Sequence, residues 1–422
     1  MKQARHIFRS LFLSASTIPE VHRRNFFLLY ADVFFWGILN GSILTFLSVY
    51  AARLGATGAQ IGLLTAIPAL VTLLLALPAG RWLEHQPVHG SVVWTSIANR
   101  FFYLLLVLLP FLFKPETQVW VIIGITFVMT IPGTAIGIGF QSLFAEATPE
   151  EWRAHVAGIR NAVLSIVTTI TIIISGQILV SVPFPNGYPI VFGLGVFGAF
   201  ASSVCLKLIR LPVPNTIVLT IQTSNELQAK KPPINHKLLR MDIIRGKFGI
   251  VVGLLFLFHL AQFLPIPLFP LFAVDFLKFS DRSISLGSGI FNLAVFLGSL
   301  QLERATAWLG NKRVVGFGIL LLAFYPGLLS LTRELGLYLV TNLVGGFAWS
   351  MVGGAIFNYI LEYTPQDDRP AHIALYTFGL NAAILIGSIA GPLIAGRIGY
   401  VAALAAFAGA RLIAGGLILK WG

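Results

Sequence analysis

The chain has 422 residues, of which 56% are hydrophobic and only 11% are charged. Soluble domains carry roughly 25% charged residues, so this composition excludes an ordinary water-soluble protein and indicates that hydrocarbon solvates much of the surface. The formal net charge of +13 does not favour a nucleic-acid partner, because the basic residues stand at the ends of apolar runs. The single cysteine, Cys205, excludes an intrachain disulfide framework.

Apolar runs long enough to cross roughly 30 Å of hydrocarbon follow a basic N-terminal segment. We predict a cytoplasmic tail over residues 1–25, with a peripheral amphipathic helix as the alternative for its short apolar stretch. Three prolines break the outer half of the seventh run and would expose carbonyls to a cavity or bend the bundle. The twelve predicted spans are 26–50, 61–83, 92–113, 119–140, 156–180, 190–206, 248–272, 284–302, 314–331, 336–360, 373–394 and 401–419.

The longest polar interval, 211–247, divides these spans into two halves of six. We therefore predict an all-α membrane protein with one bundle over 26–210, a cytoplasmic linker over 211–247 and a second bundle over 248–422. An even number of spans puts both termini on one side, and the segments on that side hold 20 Lys and Arg residues. The opposite side holds six: Arg53, Lys114, Lys278, Arg282, Arg333 and Arg397. This bias predicts a multi-pass protein of the cell membrane with both termini in the cytoplasm.

Two loops repeat the same pattern at an offset of 216 residues. After span four, Glu146, Thr148, Pro149, Glu151 and Arg153 occupy the positions that Glu362, Thr364, Pro365, Asp367 and Arg369 occupy after span ten. Five matches at equal spacing indicate duplication of a six-span unit. The pattern predicts a helix start with a threonine cap, in which the arginine pairs with the preceding glutamate. Such loops are either capped turns or gates at the inner mouth of each half.

A second pair of loops agrees with this duplication and carries a family resemblance. Twelve spans in two similar halves with these loops resemble the major facilitator superfamily over almost the whole chain. The signature loop of that family, between spans two and three, runs Gly, two or three residues, Asp, Arg, any residue, Gly and then a basic cluster. Here Gly80 and Arg81 match the motif, whereas Glu84 replaces the Asp and Pro87 replaces the second Gly. After span eight, the matching residues are Gly310, Lys312 and Arg313, while Glu303 and Ala307 replace the first Gly and the Asp.

The resemblance implies a rocker-switch carrier of the general-transporter fold. Two pseudo-symmetric six-helix halves would tilt about a central site near the bilayer midplane, and spans one, four, seven and ten would line it. It also implies that the loop acids Glu84 and Glu146 latch the outward-facing state. We predict gating roles for Arg160, early in span five, and for ten loop residues: Gly80, Arg81, Glu84, Glu146, Arg153, Gly310, Lys312, Arg313, Glu362 and Arg369.

Asp32 is the only acid clearly inside a span of the first half. Placing an ionisable residue at the centre of a membrane-inserted helix costs about 2.5–3.5 kcal/mol of insertion free energy. We therefore expect Asp32 to have a functional role or a compensating partner. Trp36 and Asn40 follow at helical spacing and share its face. One interpretation is a cavity wall whose carboxylate carries a proton or pairs with a cationic substrate. The alternative is a fixed ion pair with Arg100 or Arg160.

Other spans carry polar residues at helical spacing, and His259 of span seven can titrate near neutral pH. Hydrogen-bonded structure explains a lone histidine equally well, and close packing explains glycines in span ten. Arg100 and Arg160 could bind an anionic substrate, but snorkelling or gating pairs are the favoured explanation. We predict a substrate cavity lined by Asp32, Trp36, Asn40, Thr130, Thr134, Gln141, His259, Gln262, Asn342 and Trp349.

These features predict a monomeric secondary transporter that carries a small organic solute, with the proton as candidate coupling ion and with no metal or other cofactor. The aromatic, sparsely charged cavity favours a neutral or amphipathic molecule. A lipid flippase or scramblase is the main alternative. A membrane-embedded enzyme is less favoured, because His259 has no acid within reach along its helix and no phosphate-binding loop is present.

Overall fold

The computed structural model describes residues 20–211, 241–244, 246–365 and 368–422. Within these ranges the chain is almost entirely helical and contains no strand, which confirms the predicted all-α class. The first helix begins at Glu20, inside the predicted tail. The rest of that tail, residues 1–19, and most of the predicted linker lie outside the described residues.

Twelve helical segments, α1 to α12, follow the predicted spans in chain order. In the first half, α1 comprises Glu20–Leu39, a π turn over Asn40–Leu44 and Thr45–Arg53, and the helices α2 to α6 are Gly58–Glu84, Val88–Leu112, Pro115–Ala147, Glu150–Ser181 and Gly187–Leu208. In the second half, α7 comprises Lys247–Phe263, Leu268–Leu271 and a π turn over Phe272–Phe276, and the helices α8 to α12 are Asp281–Ser299, Asn311–Leu331, Leu335–Glu362, Arg369–Ile398 and Tyr400–Trp421.

Eleven helices among the described residues are long and apolar enough to cross a membrane by length and composition. The twelfth, α8, meets this test together with the short helix Leu302–Leu309, from which it is bent by 53°. Large apolar side chains such as Trp94, Phe101 and Phe197 are more than half exposed on the outside of the bundle. Lipid is the solvent that such a surface requires.

The helices place their turns at two ends of the bundle. The Arg53 end holds the turn between α1 and α2 and the other turns that follow odd-numbered helices. The terminus end holds Glu20, Trp421 and the turns that follow even-numbered helices. In the described chain, therefore, the two repeated loops after α4 and α10 lie at the same end, as the predicted duplication requires.

The two halves pack against each other mainly through α2 with α11 and α5 with α8. Glycines permit these close approaches: a Cβ on Gly62 would lie 2.4 Å from the Ser388 carbonyl oxygen, and one on Gly176 would lie 1.9 Å from the Ser285 hydroxyl. Both positions belong to the parts of these helices nearer the Arg53 end.

Apolar packing is also different at the two ends. At the Arg53 end, a single buried cluster joins α1 residues such as Phe46 and Tyr50 to Leu271, Val274 and Ile284 of the second half. At the terminus end, each half has a buried cluster of its own, one around Phe26 to Ile209 and the other around Ile243 to Ile418. Among the described residues, the halves are therefore joined at the Arg53 end and separately packed at the other.

Candidate functional site

A buried ion pair links α1 to α5 inside the first half. Asp32 is 4% exposed, and its Oδ2 lies 3.2 Å from Nη2 of Arg160. The other carboxylate oxygen accepts a 2.5 Å hydrogen bond from the Ser202 hydroxyl of α6. Arg160 also donates to the Leu29 carbonyl at 3.0 Å. The structure thus contains the ion pair that the sequence offered as an alternative for Asp32, with Arg160 as the partner.

A second arginine, Arg100 of α3, lies next to this pair without contacting the carboxylate directly. Its Nη2 donates to the Ser202 hydroxyl at 2.9 Å, while Nε and Nη1 are buried without a hydrogen-bond partner. The guanidinium carbon lies 5.5 Å from the centroid of the Trp36 ring. Arg100 is only 2% exposed and therefore does not snorkel to the surface, whereas the gating pair that the sequence offered beside snorkelling stays a prediction. The Arg100 hydrogen bond to the Ser202 hydroxyl instead holds the guanidinium inside the first half.

These groups line a cavity of about 450 Å³, which we call the Asp32 cavity. A volume of this size suits a small ligand. Of the predicted substrate residues, Asp32, Trp36, Thr130 and Gln141 line it. Its other walls include the side chains of Asn99, Arg100, Tyr103, Phe140 and Arg160.

A second cavity of about 380 Å³, the Asn342 cavity, lies mainly in the second half. Three further predicted residues, Gln262, Asn342 and Trp349, line it, and Thr45 of α1 contributes a wall from the first half. The Tyr325 hydroxyl donates to the Asn342 side-chain oxygen at 3.3 Å, and the Asn342 amide donates to the Tyr338 carbonyl at 2.8 Å.

Arg411 of α12 also borders the Asn342 cavity and is 1% exposed. Its three nitrogens donate to the carbonyls of Ala261, Leu322 and Gln262 at 3.4, 3.0 and 3.1 Å. The helical partners of the first two carbonyls would be the N–H groups four residues on, but those residues are Pro265 and Pro326, and proline has no N–H. Arg411 therefore satisfies carbonyls that proline leaves free.

Three predicted substrate residues line neither of these two cavities. The Asn40 amide donates to the Trp36 carbonyl at 3.3 Å, at the residue where the π turn begins. The Thr134 hydroxyl donates to the Thr130 carbonyl of its own helix at 3.0 Å. His259 is buried with Nε2 3.0 Å from the Tyr376 hydroxyl, while its Nδ1 has no hydrogen-bond partner.

The predicted gating residues lie at the terminus end, apart from Arg160. Arg81 and Glu84 are exposed at the end of α2. Arg153 does not pair with Glu146, as the sequence predicted, but donates to the carbonyls of Ala145 and Thr148 at 2.9 and 3.2 Å. The C-terminus of α4 leaves these carbonyls free, and the negative end of its dipole attracts the cation.

The second copy of this loop is built differently from the first. Glu362 accepts a 2.7 Å hydrogen bond from Asn311, which follows Gly310 at the start of α9. Gly310 has a φ of +78°, a conformation that favours glycine. Arg369, Lys312 and Arg313 stand at the beginnings of α11 and α9.

Neither threonine of the repeated loops caps a helix as predicted. The buried Thr148 hydroxyl has no hydrogen-bond partner, and Thr364 donates back to the Ile360 carbonyl at 2.9 Å. The helix α5 begins one residue later than the pattern implied, at Glu150, so Pro149 occupies the cap position.

A polar cluster connects the two halves at the Arg53 end. Arg53 of α1 lies 3.1 Å from the Asp281 carboxylate at the start of α8, and the same guanidinium donates to the Phe279 carbonyl at 2.5 Å. The Tyr188 hydroxyl of α6 donates to Asp281 at 3.0 Å. Among the described residues, no side-chain hydrogen bond or ion pair links the halves at the terminus end.

Sequence reasoning missed several of these residues. Ser202 and Tyr376 stand in apolar helices with no pattern that sets them apart, and only packing brings them to Asp32 and His259. Arg411 could have been assigned from two signals in the sequence, namely a lone arginine in an apolar run and prolines in two other spans.

The sequence pattern of the Major Facilitator Superfamily matches residues 26–249 and 251–421 of the chain. No curated protein matches the sequence. The fold is similar to that of a D-xylose–proton symporter, with a TM-score of 0.72 and 14% identity over 94% of this chain and 97% of the symporter.

Two further solved transporters have the same fold. The xylose transporter XylE from E. coli, in a partially occluded inward open conformation, gives a TM-score of 0.69 and 13% identity over 96% of this chain and 98% of its own. The nucleoside transporter NupG gives a TM-score of 0.65 and 14% identity over 96% and 99% of the two chains. At such identities the likeness concerns the fold and not the substrate.

Proposed function

The chain belongs to the Major Facilitator Superfamily, and from this premise we propose that it carries a small organic solute across the cell membrane by alternating access, driven by coupled proton movement. The observation that carries this proposal is the unequal contact between the halves. At the Arg53 end the halves are joined by an ion pair and a shared apolar cluster, whereas at the terminus end each half has an apolar cluster of its own. Two halves whose described residues are joined at one end and packed separately at the other can rock about the region between them.

The distribution of positive charge supports an inward-facing assignment for this conformation. The terminus end carries most of the Lys and Arg residues that border the spans, and such residues accumulate on the cytoplasmic side. In this proposal the Arg53 end faces outward and is closed. The exposed loop residues Arg81, Glu84 and Arg369 come together when the terminus end closes in the opposite state.

Asp32 is the proposed proton acceptor because its two oxygens connect three helices. The groups that face it are Arg160 on α5, Ser202 and Cys205 on α6, and Arg100 on α3 through Ser202. A proton on the carboxylate removes the negative partner of Arg160 and weakens the acceptor for Ser202. Gain or loss of that proton therefore changes how α1 is held to α5 and α6, which is the kind of change that can bias a two-state carrier.

The experiment begins with a thermal-shift screen of the purified protein against sugars, nucleosides, amino acids and organic ions. Ligands that stabilise the protein are then tested for flux into proteoliposomes with and without an imposed pH gradient. We expect the gradient to accelerate uptake by the wild type and to have no effect on Asp32→Asn. Glu116→Gln, an exposed acid at the start of α4, is the matched control and should behave as the wild type does.

Two results would contradict different parts of the proposal. Flux that is equal in empty liposomes and proteoliposomes for every stabilising compound would contradict transport itself. Gradient-driven uptake by Asp32→Asn at the wild-type rate would contradict the proton role alone.

A further inference from the structure

We propose that the transported solute carries an oxyanion, a carboxylate or phosphate group, and that Arg100 binds this group in the Asp32 cavity. The inference rests on the transport function proposed above and names the substrate class. The anionic solute proposed here takes the place of the neutral or amphipathic molecule that the sequence favours.

The charges that line the Asp32 cavity do not balance. Arg100 and Arg160 each contribute a positive charge, because arginine stays protonated in proteins, and Asp32 is the only acid among the described residues that line the cavity. One positive charge therefore remains without a counter-ion. A low-dielectric cavity of one sign concentrates ions of the opposite sign, so this cavity favours an anionic ligand.

Three arginines lie inside the described spans, namely Arg100, Arg160 and Arg411, and Arg100 has the most unused hydrogen-bonding capacity. All three nitrogens of Arg411 donate to carbonyls, and both terminal nitrogens of Arg160 have an acceptor. In Arg100, Nε and Nη1 have no acceptor among the described residues, and Nη2 donates to Ser202. A guanidinium presents such nitrogens as a planar fork that matches two oxygens of a carboxylate or phosphate.

An unpaired donor on a buried charge is costly, so a protein retains one where a ligand supplies the acceptor. The Asp32–Arg160 pair does not supply it in this structure, because the Asp32 carboxylate bonds to Arg160 and Ser202 and to neither Nε nor Nη1 of Arg100. Ser202 accepts from Nη2 and donates to Asp32, and it therefore fixes the direction in which the guanidinium points.

The walls around Arg100 fit the organic part of such a solute. Trp36 lies over the guanidinium and also lines the cavity, and Tyr103 and Phe140 add aromatic surface. Because the Trp36 ring is half-buried, it can turn from the guanidinium to the body of a ligand when an oxyanion takes its place. Arginine–ring contact of this kind is weaker than a charge-assisted hydrogen-bonded pair, so an oxyanion displaces it.

The test compares anions with uncharged molecules of the same skeleton. Benzoate, succinate, glycerol 3-phosphate and phenyl phosphate are measured against benzamide, succinamide, glycerol and phenol by thermal shift and by flux into proteoliposomes. We expect stabilisation and saturable flux from carboxylates, phosphates or both, and from none of the uncharged partners. The carboxylate and phosphate arms identify which oxyanion the site prefers.

Variants connect this selectivity to Arg100. In Arg100→Gln we expect the Kd of the stabilising anion to rise roughly 30-fold or more, because a buried charge loses its partner. Arg100→Lys keeps the charge without the fork and should bind more weakly than the wild type but more tightly than Arg100→Gln. Arg397→Gln, which removes an exposed arginine at the end of α11, should leave the Kd unchanged.

The outcomes separate this inference from the transport proposal. Stabilisation by the uncharged partners to the same extent, no stabilisation by any anion, or an unchanged Kd in Arg100→Gln would overturn the oxyanion site. The comparison of anions with neutral partners uses the wild type, so it decides the matter even if Arg100→Gln does not fold. Anion binding that depends on Arg100 without flux of any compound would instead contradict transport and leave the site standing.

Discussion

Arg411 is a buried cation held by backbone carbonyls and not by an acid. Two of its three acceptors are the carbonyls four residues before Pro265 and Pro326, which cannot bond within their own helices. The third, on Gln262, lies in the last turn of Lys247–Phe263, where carbonyls are free and the helix dipole is negative. One side chain thus ties α12 to the break in α7 and to the turn of α9 that precedes Pro326.

Replacing Arg411 with glutamine should therefore lower stability and not substrate selectivity. Each buried carbonyl left without a donor costs about 1–3 kcal/mol, so we expect a clear fall in the unfolding temperature in detergent. Arg397→Gln should not change that temperature. In a Pro326→Ala background the Leu322 carbonyl regains a helical donor, and the further loss caused by Arg411→Gln should be smaller. Equal losses in the two backgrounds would contradict the assignment.

Individual contacts were only partly predictable from the sequence. Asp32 and Arg160 could be proposed as partners because intramembrane charges must be compensated. Ser202 could not, since a serine in an apolar helix has no distinguishing spacing and its role depends on how α6 packs against α1. The same holds for the bond between His259 and Tyr376.

At the scale of elements, α11 depends on the absence of side chains at one face. A Cβ on Gly391 would lie 1.8 Å from the Leu264 carbonyl oxygen, where α7 is broken by its prolines. A Cβ on Gly396 of the same helix would contact nothing within 4 Å. Backbone cannot yield as a flexible side chain can, so the two positions should respond differently to the same substitution.

We expect Gly391→Ala to reduce the unfolding temperature and the yield of monodisperse protein, because α11 must move away from α7. Gly396→Ala adds the same methyl group to the same helix and should leave both quantities unchanged, or raise stability slightly through better helix propensity. Thermal unfolding and size-exclusion chromatography of the purified variants test this. A Gly391→Ala protein as stable as Gly396→Ala would show that the helices are not in close contact there.

The existence of the helices was predictable from apolar runs of sufficient length, and the break in α7 from its three prolines. Local register was less predictable. The π turn at Asn40–Leu44 interrupts the α-helical spacing from Asn40 onward. Asn40 and Gly41 form a turn-type dipeptide, but they stand inside an apolar run long enough to predict one continuous helix. The threonine caps failed because the α4–α5 turn satisfies its carbonyls with Arg153 and starts the next helix one residue later.

At the scale of the molecule, the repeated loops predicted two halves, but they could not predict which end is closed. Both conformations of a carrier use one sequence, and they differ by only a few kcal/mol. The closed end depends on contacts between residues far apart in the chain, such as Arg53 with Asp281 and Gly62 with Ser388. Neither pair belongs to the repeated loops.

The Arg53–Asp281 pair should set the balance between the two conformations, because it holds the halves together at the closed end. In Asp281→Asn, Arg53 loses its ionic partner and the bond from Tyr188 is weakened, which should cost about 1.5–3 kcal/mol in this state alone. The population of the opposite state should then rise roughly tenfold or more. The measurement uses spin labels on Glu84→Cys and Glu303→Cys, one in each half at the terminus end, in a Cys205→Ser background. A larger population of the opposite state would appear as a larger fraction of short distances between the two labels. Glu334→Gln removes an exposed acid at the Arg53 end without breaking a contact between the halves, and its distance distribution should match that of the parent. If Asp281→Asn matches it too, the ion pair does not hold the closed end, and the apolar cluster around Phe46 and Leu271 must do so.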